Sequence, residues 1–287
     1  MGKKEPWLIF LAEFGQGGHA TRFTGSRLLP LMRYDGHSAF TRVFFMMVQF
    51  NVITLFPEMF GDPFKSSILM RAQEKGLIKI ELHNLRDFCK DKHRVTDDLP
   101  YGGGAGMVMK PEPLITAIET IKSSQPEVRM LLMTPQGKRF EQRDAVRLVR
   151  YSSLALACGR YEGVDERIRG FVDEEFSIGD YILTGGELAS MVVIDAVARL
   201  IPGVLGDSAS LEEESFTQPL LEAPHYTRPR VFKDMEVPEV LLSGNHSEIE
   251  RWRRQQALKR TKKRRPDLLS KAPLSEEDMK FLEEVEN

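Results

Sequence analysis

The chain has 287 residues, of which 41% are hydrophobic and 29% charged, and its 42 acidic and 40 basic side chains give a net charge of −2. This composition excludes a globally disordered chain and a uniformly basic nucleic-acid binder, and the length favours two domains over one. Two isolated cysteines, Cys89 and Cys158, argue against a disulfide framework or a zinc site, and no apolar run reaches the length of a membrane span. We expect a cytoplasmic protein with no membrane partner.

Residues 1–46 differ in composition from the rest of the chain. The apolar run Trp7–Ala12 is too short for a secretory signal, and residues 16–45, rich in Arg, Ser, Thr and Gly, faintly resemble an organellar transit peptide. Met46 and Met47 directly precede a clear strand pattern. We expect residues 1–46 to be a disordered or dispensable leader, and the functional chain to begin near Met47.

Strand and helix patterns alternate from Val48 onwards. Strand patterns cover Val48–Phe56, Leu77–Leu85, Met130–Thr134, Leu154–Cys158 and Phe176–Leu183, and helix patterns cover residues 64–72, 112–122 and 141–150. This alternation predicts an α/β domain over residues 47–205, built on a parallel sheet with helices on both faces. Ligands of such sheets bind beyond the carboxyl ends of the strands.

Glycine-bearing loops follow four of these strand patterns. They are Pro100–Gly106, Thr134–Lys138, Cys158–Arg167 and Thr184–Glu187. One such loop is an ordinary turn, but four at strand ends indicate a pocket. None contains G-x-G-x-x-G, a P-loop or G-x-S-x-G, which disfavours dinucleotide redox chemistry, nucleotide hydrolysis and a serine hydrolase.

The segment Ser177–Glu187 is the most distinctive of the chain. Its Gly185–Gly186 pair lets the backbone turn sharply and approach a bound molecule closely. Tyr181 and Ile182 would wall a flat apolar slot beside it. A plain tight turn before a helix is the alternative interpretation of the same residues.

The segment Leu188–Ile201 is apolar almost all round and is stopped by Pro202, which predicts a buried helix. Asp195 and Arg199 stand four residues apart on one face of it. They form either a plain surface ion pair or a pair with one end in a functional cleft, since a buried charged pair loses solvation. The sequence leaves both interpretations open.

Residues 206–219, with small residues followed by an acidic run, predict a flexible linker or lid, and residues 220–287 predict a small helical domain. An acidic run is ordinarily solvated surface. In the helical domain a capping-box pattern at Ser247 and Glu250 predicts a helix start, and Pro266 predicts its end.

This predicted helix is strongly basic. Residues 251–265 contain nine cations and no acid. A solvated helix face is the ordinary interpretation of a charge run. Because nine like charges repel one another, we favour a partner that supplies phosphate, which points to nucleic acid.

These motifs resemble the TrmD family of bacterial tRNA (guanine-N1)-methyltransferases, which belongs to the trefoil-knot SPOUT class. The resemblance runs from Met47 to the C-terminus and includes Leu55–Phe60, Pro100–Met107, Pro135–Gly137, Cys158–Gly163, Ser177–Tyr181, Gly185–Leu188, Ile201–Gly206, Pro224–Pro229 and Leu241–His246. It implies a deep trefoil knot, a homodimer with the active site between subunits, S-adenosylmethionine as methyl donor and dependence on Mg²⁺.

The implied activity is methylation of N1 of the guanine immediately 3′ of the tRNA anticodon, where another guanine precedes it; this modification supports reading-frame maintenance. By resemblance the donor contacts are Pro135, Gly159, Tyr161, Glu162, Gly163, Ile178, Gly179, Asp180, Tyr181, Ile182, Leu183, Gly185 and Gly186. Glu162 is also a weak candidate for contact with the metal ion.

Methyl transfer to N1 requires a positioned donor, a base for the N1 proton and a cation or donor for the charge on O6. The family's base is an aspartate before Ser-Phe, and here that position is Glu214, with Glu212 and Glu213 leaving the register open. Arg199 matches the family's essential arginine. Residues 206–219 would close over the unstacked guanine and bring Glu214 in only when RNA is bound.

The predicted RNA contacts hold the anticodon stem and loop through phosphate and shape. They are Arg228, Arg230, Arg251, Arg254, Lys259, Arg260 and Arg264. Two alternatives to this function remain: a SPOUT methyltransferase of the ribose 2′-hydroxyl, and a non-catalytic RNA-binding protein. The intact glycine loops, Arg199 and the carboxylate at position 214 argue against the second.

Overall fold

The computed structural model describes residues 28–32, 42–206 and 214–285. The chain divides into two compact units, Met1–Met46 and Met47–Asn287. In the first unit, β1 (Leu28–Met32) and β2 (Arg42–Met46) pair as an antiparallel ladder. The predicted leader falls largely outside the described residues, so its dispensability stays a prediction.

The second unit contains the predicted alternation of strands and helices. Its strands are β3 (Val48–Thr54), β4 (Ile78–Asn84), β5 (Asp97–Asp98), β6 (Val108–Met109), β7 (Arg129–Arg139), β8 (Ser153–Cys158), β9 (Glu174–Ser177), β10 (Val231–Phe232) and β11 (Met235–Glu236). Its helices are α1 (Gly61–Phe64), α2 (Ser67–Glu74), α3 (Pro111–Ser124), α4 (Gln142–Leu148), α5 (Glu187–Ala198), α6 (His246–Arg264), α7 (Pro266–Leu269) and α8 (Glu276–Glu284). Among the described residues, no helix is long and apolar enough to cross a membrane.

Five of these strands form one parallel sheet in the order β4-β3-β8-β7-β9. The predicted parallel α/β sheet is therefore confirmed. The strand predicted over Phe176–Leu183 is wrong over most of its length, because β9 ends at Ser177. Gly179 has a φ of 152°, which residues with a side chain rarely adopt, and the chain leaves the sheet there.

Helices cover both faces of the sheet, as predicted. Side chains of a strand point alternately to opposite faces, so Val52 joins one hydrophobic cluster and Ile53 the other. The first cluster contains residues of α1, α2, α4 and α5, and the second contains residues of α3. Packed side chains cover both faces of the sheet, so we look for a binding site at the ends of the strands.

The helix α5 is not buried all round, so that expectation is wrong. Val193 and Ile194 are fully buried against the sheet, but Leu188 and Val192 are 49% and 48% exposed. Asp195 lies on the same outward face. An apolar helix that packs on one face of a sheet buries only its inner side, so α5 presents an apolar stripe to the outside.

The helix α6 begins two residues earlier than predicted. Its N-cap is Asn245, whose side chain accepts a hydrogen bond from the backbone N–H of Glu248. The capping box predicted at Ser247 and Glu250 is therefore wrong, because Asn is itself a favoured N-cap residue. The predicted last helix is confirmed: Ser275 caps α8 in a reciprocal box with its third residue.

Candidate active site

Three loops meet at the carboxyl edge of the sheet, where the neighbouring strands β8, β7 and β9 end. The first is residues 134–137, which bulge out of β7: Met133 and Lys138 both pair with Phe176. Gly137 is required there because a Cβ would lie 2.5 Å from the backbone nitrogen of Phe176. The second and third loops, residues 159–163 and 178–186, follow β8 and β9.

The second and third loops cross in direct contact. The backbone N–H of Gly186 donates to the carbonyl of Gly159 at 2.8 Å. A Cβ on Gly186 would lie 2.8 Å from the Cα of Cys158, closer than real Cβ atoms approach. The Gly-Gly pair thus permits a close crossing of two loops, which a plain turn before a helix does not require.

The predicted donor-binding residues all lie in these three loops. Tyr181 and Ile182 of the third loop are 54% and 80% exposed although they are apolar, and Tyr161 of the second loop is also exposed. Exposed aromatic and aliphatic side chains on these loops suit a flat heteroaromatic ring, such as the adenine of S-adenosylmethionine.

The backbone of the second loop is held in an unusual conformation. Tyr161 has a φ of 59°, in the left-handed region that disfavours side chains. Hydrogen bonds join this loop to the glycine-rich segment before β6: Glu162 donates its N–H to Met107, and Met109 donates to Gly163. The side chain of Glu162 fills the space beside Gly106.

The two predicted catalytic residues touch each other. The Arg199 guanidinium donates to both carboxylate oxygens of Glu214, at 2.5 and 2.6 Å. These hydrogen bonds lower the pKa of the Glu214 carboxyl and raise that of Arg199. Since no ion pair joins Asp195 to Arg199 within the described part of the chain, the structure decides against the plain helical pair that the sequence left open.

The segment that carries Glu214 is anchored in the described structure. Ser215 accepts a hydrogen bond from the N–H of Glu222, and Leu221 donates to the hydroxyl of Thr261 on α6. Glu214 therefore already lies against Arg199 in the protein alone, and its delivery to a bound guanine stays a prediction. Residues 207–213 lie outside the described ranges, and flexibility there stays a prediction.

The donor loops and the Arg199–Glu214 pair are not brought together within one chain. Gly186 immediately precedes α5 and Arg199 immediately follows it. At 1.5 Å per residue the helix separates their backbones by about 20 Å. Methyl transfer requires reacting atoms within about 3–3.5 Å of each other, so a site that used both groups of one chain would have to span this distance.

The basic helix has counter-charges that the sequence pattern did not indicate. Arg251 and Arg254 each pair at 2.8 Å with a carboxylate of α8, from Glu277 and Asp278 respectively. Arg260 donates to the carbonyl of Glu222. The expectation that this cation run lacks counter-charges is therefore wrong for Arg251 and Arg254, because α8 folds back on them.

The remaining predicted RNA contacts lie at the surface. Lys259 and Arg264 are exposed, as is the neighbouring Lys263. Arg228 and Arg230 are exposed in the segment before α6, with Arg230 at 3.6 Å from a carboxylate oxygen of Glu239. The cations available to phosphate are thus concentrated at the end of α6 and before β10.

A buried ion pair beside the donor loops was missed by sequence reasoning. Glu187, only 1% exposed, accepts hydrogen bonds from Arg160 and Thr54. Both charged residues stand inside the motifs that drew attention to the loops, but their sequence gives no sign of mutual contact. A carboxylate directly after Gly-Gly at the start of an apolar helix was the available signal.

Metal ligation finds no support in the described residues. Within residues 28–32, 42–206 and 214–285, no group of three or more His, Cys, Asp or Glu side chains could hold an ion. Glu162 alone offers one carboxylate, whereas Mg²⁺ takes six oxygen ligands. Within these ranges the side chains alone do not form a complete Mg²⁺ site.

A family model and individual relatives both match this chain, and both point to the same family. The model of the family "tRNA (Guanine-1)-methyltransferase TrmD" matches residues 48–271. A tRNA (guanine-N(1)-)-methyltransferase of Dictyoglomus turgidum is 56% identical over 239 residues, which cover 83% of this chain and 97% of that protein. One from Geobacter sulfurreducens is 57% identical over 240 residues, covering 83% and 98%.

Proposed function

The chain belongs to the TrmD family of tRNA (guanine-1)-methyltransferases, and on this premise we propose that it methylates N1 of the guanine immediately 3′ of the tRNA anticodon, with S-adenosylmethionine as donor. The observation that carries this proposal is the contact between Arg199 and Glu214, 15 residues apart in sequence. A base and a cation in mutual contact match the two needs of guanine N1 methylation, a proton acceptor and a charge partner for O6.

Each residue has a defined part in the proposed mechanism. The donor, when bound, supplies an electrophilic methyl group on a sulfonium. Glu214 accepts the N1 proton as the new N–C bond forms and the methyl–sulfur bond breaks, which leaves S-adenosylhomocysteine, and Arg199 donates to O6 as negative charge gathers there. The pairing with Arg199 lowers the pKa of Glu214, so Glu214 is a weak base until O6 takes part of the hydrogen bonding of Arg199. Guanine binding thereby makes Glu214 a stronger base for the N1 proton.

We propose a homodimer with each active site shared between subunits. The separation of about 20 Å along α5 supports it, because the donor loops of one chain then need the Arg199–Glu214 pair of another. The exposed apolar stripe of Leu188 and Val192 supports it as well, since a second copy would cover it. The trefoil knot and the domain limits 47–205, 206–219 and 220–287 stay proposals from family membership.

Mg²⁺ dependence also stays a proposal from the family. The residues that the structure describes supply at most Glu162, so the remaining ligands would come from water or the bound substrates.

The decisive test is transfer of label from S-adenosylmethionine to a tRNA transcript with guanine 3′ of the anticodon, followed by nucleoside analysis. We expect label in N1-methylguanosine, and its loss when that guanine is replaced. A 2′-O-methylated nucleotide, resistant to alkaline cleavage, would indicate the ribose methyltransferase instead. Tight tRNA binding without any label, in Mg²⁺-containing buffer, would indicate a binding protein.

The exposed cations at the end of α6 predict a salt-dependent RNA affinity. For the double variant Lys259→Ala, Arg264→Ala we expect weaker tRNA binding and a plot of log K against log salt that is shallower by about two units, because two phosphate contacts are lost. The measurement is tRNA affinity at several salt concentrations. The control double variant Lys65→Ala, Lys79→Ala removes the same charge from the sheet domain, and we expect it to leave the slope unchanged. An equal change of slope in both double variants would contradict a local contact between α6 and RNA.

A further inference from the structure

A buried charged cluster joins the ends of β3 and β8 to the start of α5, next to the donor loops. Thr54 ends β3, Arg160 belongs to the loop after β8, and Glu187 begins α5. Thr54 Oγ1 donates to Glu187 Oε1 at 2.9 Å, and Arg160 Nε lies 3.2 and 3.1 Å from the two carboxylate oxygens. None of the three belongs to the proposed donor contacts or to the Arg199–Glu214 pair.

The cluster is enclosed by tightly fitting neighbours. The side chain of Arg160 is only 16% exposed, and its guanidinium lies 4.3 Å from the ring centroid of Phe56. Gly185 leaves just enough room, because a Cβ there would collide with Arg160 and Glu187 together. The ion pair is thus held in one arrangement on two sides. The Phe56 ring stacks on the Arg160 guanidinium, and the space beside Gly185 does not admit a side chain.

The cluster acts on the two loops through their backbones. Arg160 lies between Gly159 and Tyr161, and Glu187 directly follows Gly186. Tyr161 is held at a φ of 59°, which is unfavourable for a residue with a side chain, so neighbouring contacts must hold it. Anchoring Arg160 inward fixes this turn and directs the flanking residues outward.

We propose that the Arg160–Glu187 pair, supported by Thr54, is a positioning device that sets the two donor-binding loops in register for S-adenosylmethionine without touching it. This inference deepens the proposed function and rests on it. Its expected signature is a specific loss of donor affinity, with the rate at saturating donor and the affinity for tRNA little changed.

The test compares two carboxylate variants at opposite edges of the sheet. Glu187→Gln removes the negative charge that Arg160 needs. Glu174→Gln is the matched control: Glu174 accepts hydrogen bonds from Arg129 and Arg147, both at 2.8 Å, at the amino end of β9. Both variants lose a partly or fully buried partner of arginine, but only the first lies at the donor loops.

Equilibrium binding of S-adenosylhomocysteine, the reaction product, is measured with tRNA affinity, melting temperature and steady-state kinetics. For Glu187→Gln we expect the dissociation constant and the donor KM to rise about tenfold to a hundredfold, because misplaced loops lose contacts. The rate at saturating donor should stay within about threefold of wild type, since the chemical groups are intact. For Glu174→Gln we expect a lower melting temperature with unchanged donor affinity.

Three results would overturn the inference: wild-type donor affinity in Glu187→Gln, equal weakening in both variants, or loss of rate with unchanged donor KM. If Glu187→Gln does not fold, donor binding is measured in Thr54→Val, which removes one hydrogen bond to Glu187 and leaves the Arg160–Glu187 pair intact. Unchanged donor affinity in Thr54→Val would then overturn the inference. Wild-type protein that binds donor without methylating tRNA would refute the proposed function instead.

Discussion

In the variant Glu214→Gln we expect methyl transfer at saturating substrates to fall by about two to four orders of magnitude, since the N1 proton loses its acceptor. Donor binding should be nearly unchanged, because Glu214 is not among the residues predicted to contact the donor. The amide keeps the shape of the side chain and one hydrogen bond to Arg199, so the variant removes the base with little other disturbance. Single-turnover rates and donor titration measure both quantities.

Two neighbouring carboxylates provide matched controls for this prediction. Glu212→Gln and Glu213→Gln make the same chemical change one and two residues away. We expect both to retain nearly full activity, because the structure places Glu214 against Arg199. Full activity in Glu214→Gln together with inactivity in either neighbour would move the base to that neighbour.

For Arg199→Lys we expect a loss of about 10²–10³ in kcat, the magnitude found when one donor to a developing oxyanion is removed. Lysine keeps the positive charge but lacks the planar fork that binds both oxygens of Glu214 and still offers a donor to O6. The affinity for tRNA should change little, since one cation remains. The measurement is kcat with tRNA and donor both saturating.

The control for Arg199 is Asp195→Asn, one helical turn earlier on the same outward face of α5. It removes a charge near Arg199 without removing a hydrogen-bond partner, and activity should stay close to wild type. If Arg199→Lys kept most of its kcat, the arginine would act as a simple point charge, and our assignment of two simultaneous contacts would be wrong.

Much of the sheet domain follows from local pattern. The strands β3 and β8 and the helix α3 appear close to their predicted limits because their apolar periodicity and flanking Pro residues act locally. The end of β9 was misplaced because Ile178, Ile182 and Leu183 read as a strand continuation. These apolar residues instead belong to the loop after β9. The spacing of apolar residues in the sequence does not distinguish such a loop from a buried strand.

Charge partners were the least predictable feature. The sequence showed a run of cations in α6, but the carboxylates that pair with Arg251 and Arg254 stand more than twenty residues later, in α8. The same holds for Arg160 and Glu187, 27 residues apart. Which charged residues meet depends on the packing of distant helices and strands, and the energy of each pair depends on its burial. Local composition reports neither.

The sequence by itself determined the α/β class and the loops that carry the donor-binding candidates, because motifs are strings of neighbouring residues. Through the family resemblance it also gave Arg199 and one of the carboxylates Glu212–Glu214 as candidate catalytic residues. Only the tertiary structure decided that Arg199 pairs with Glu214 rather than Asp195, and that α5 separates this pair from the donor loops of the same chain. These are distances through space, fixed by the packing of whole elements on the sheet, and no local pattern contains them.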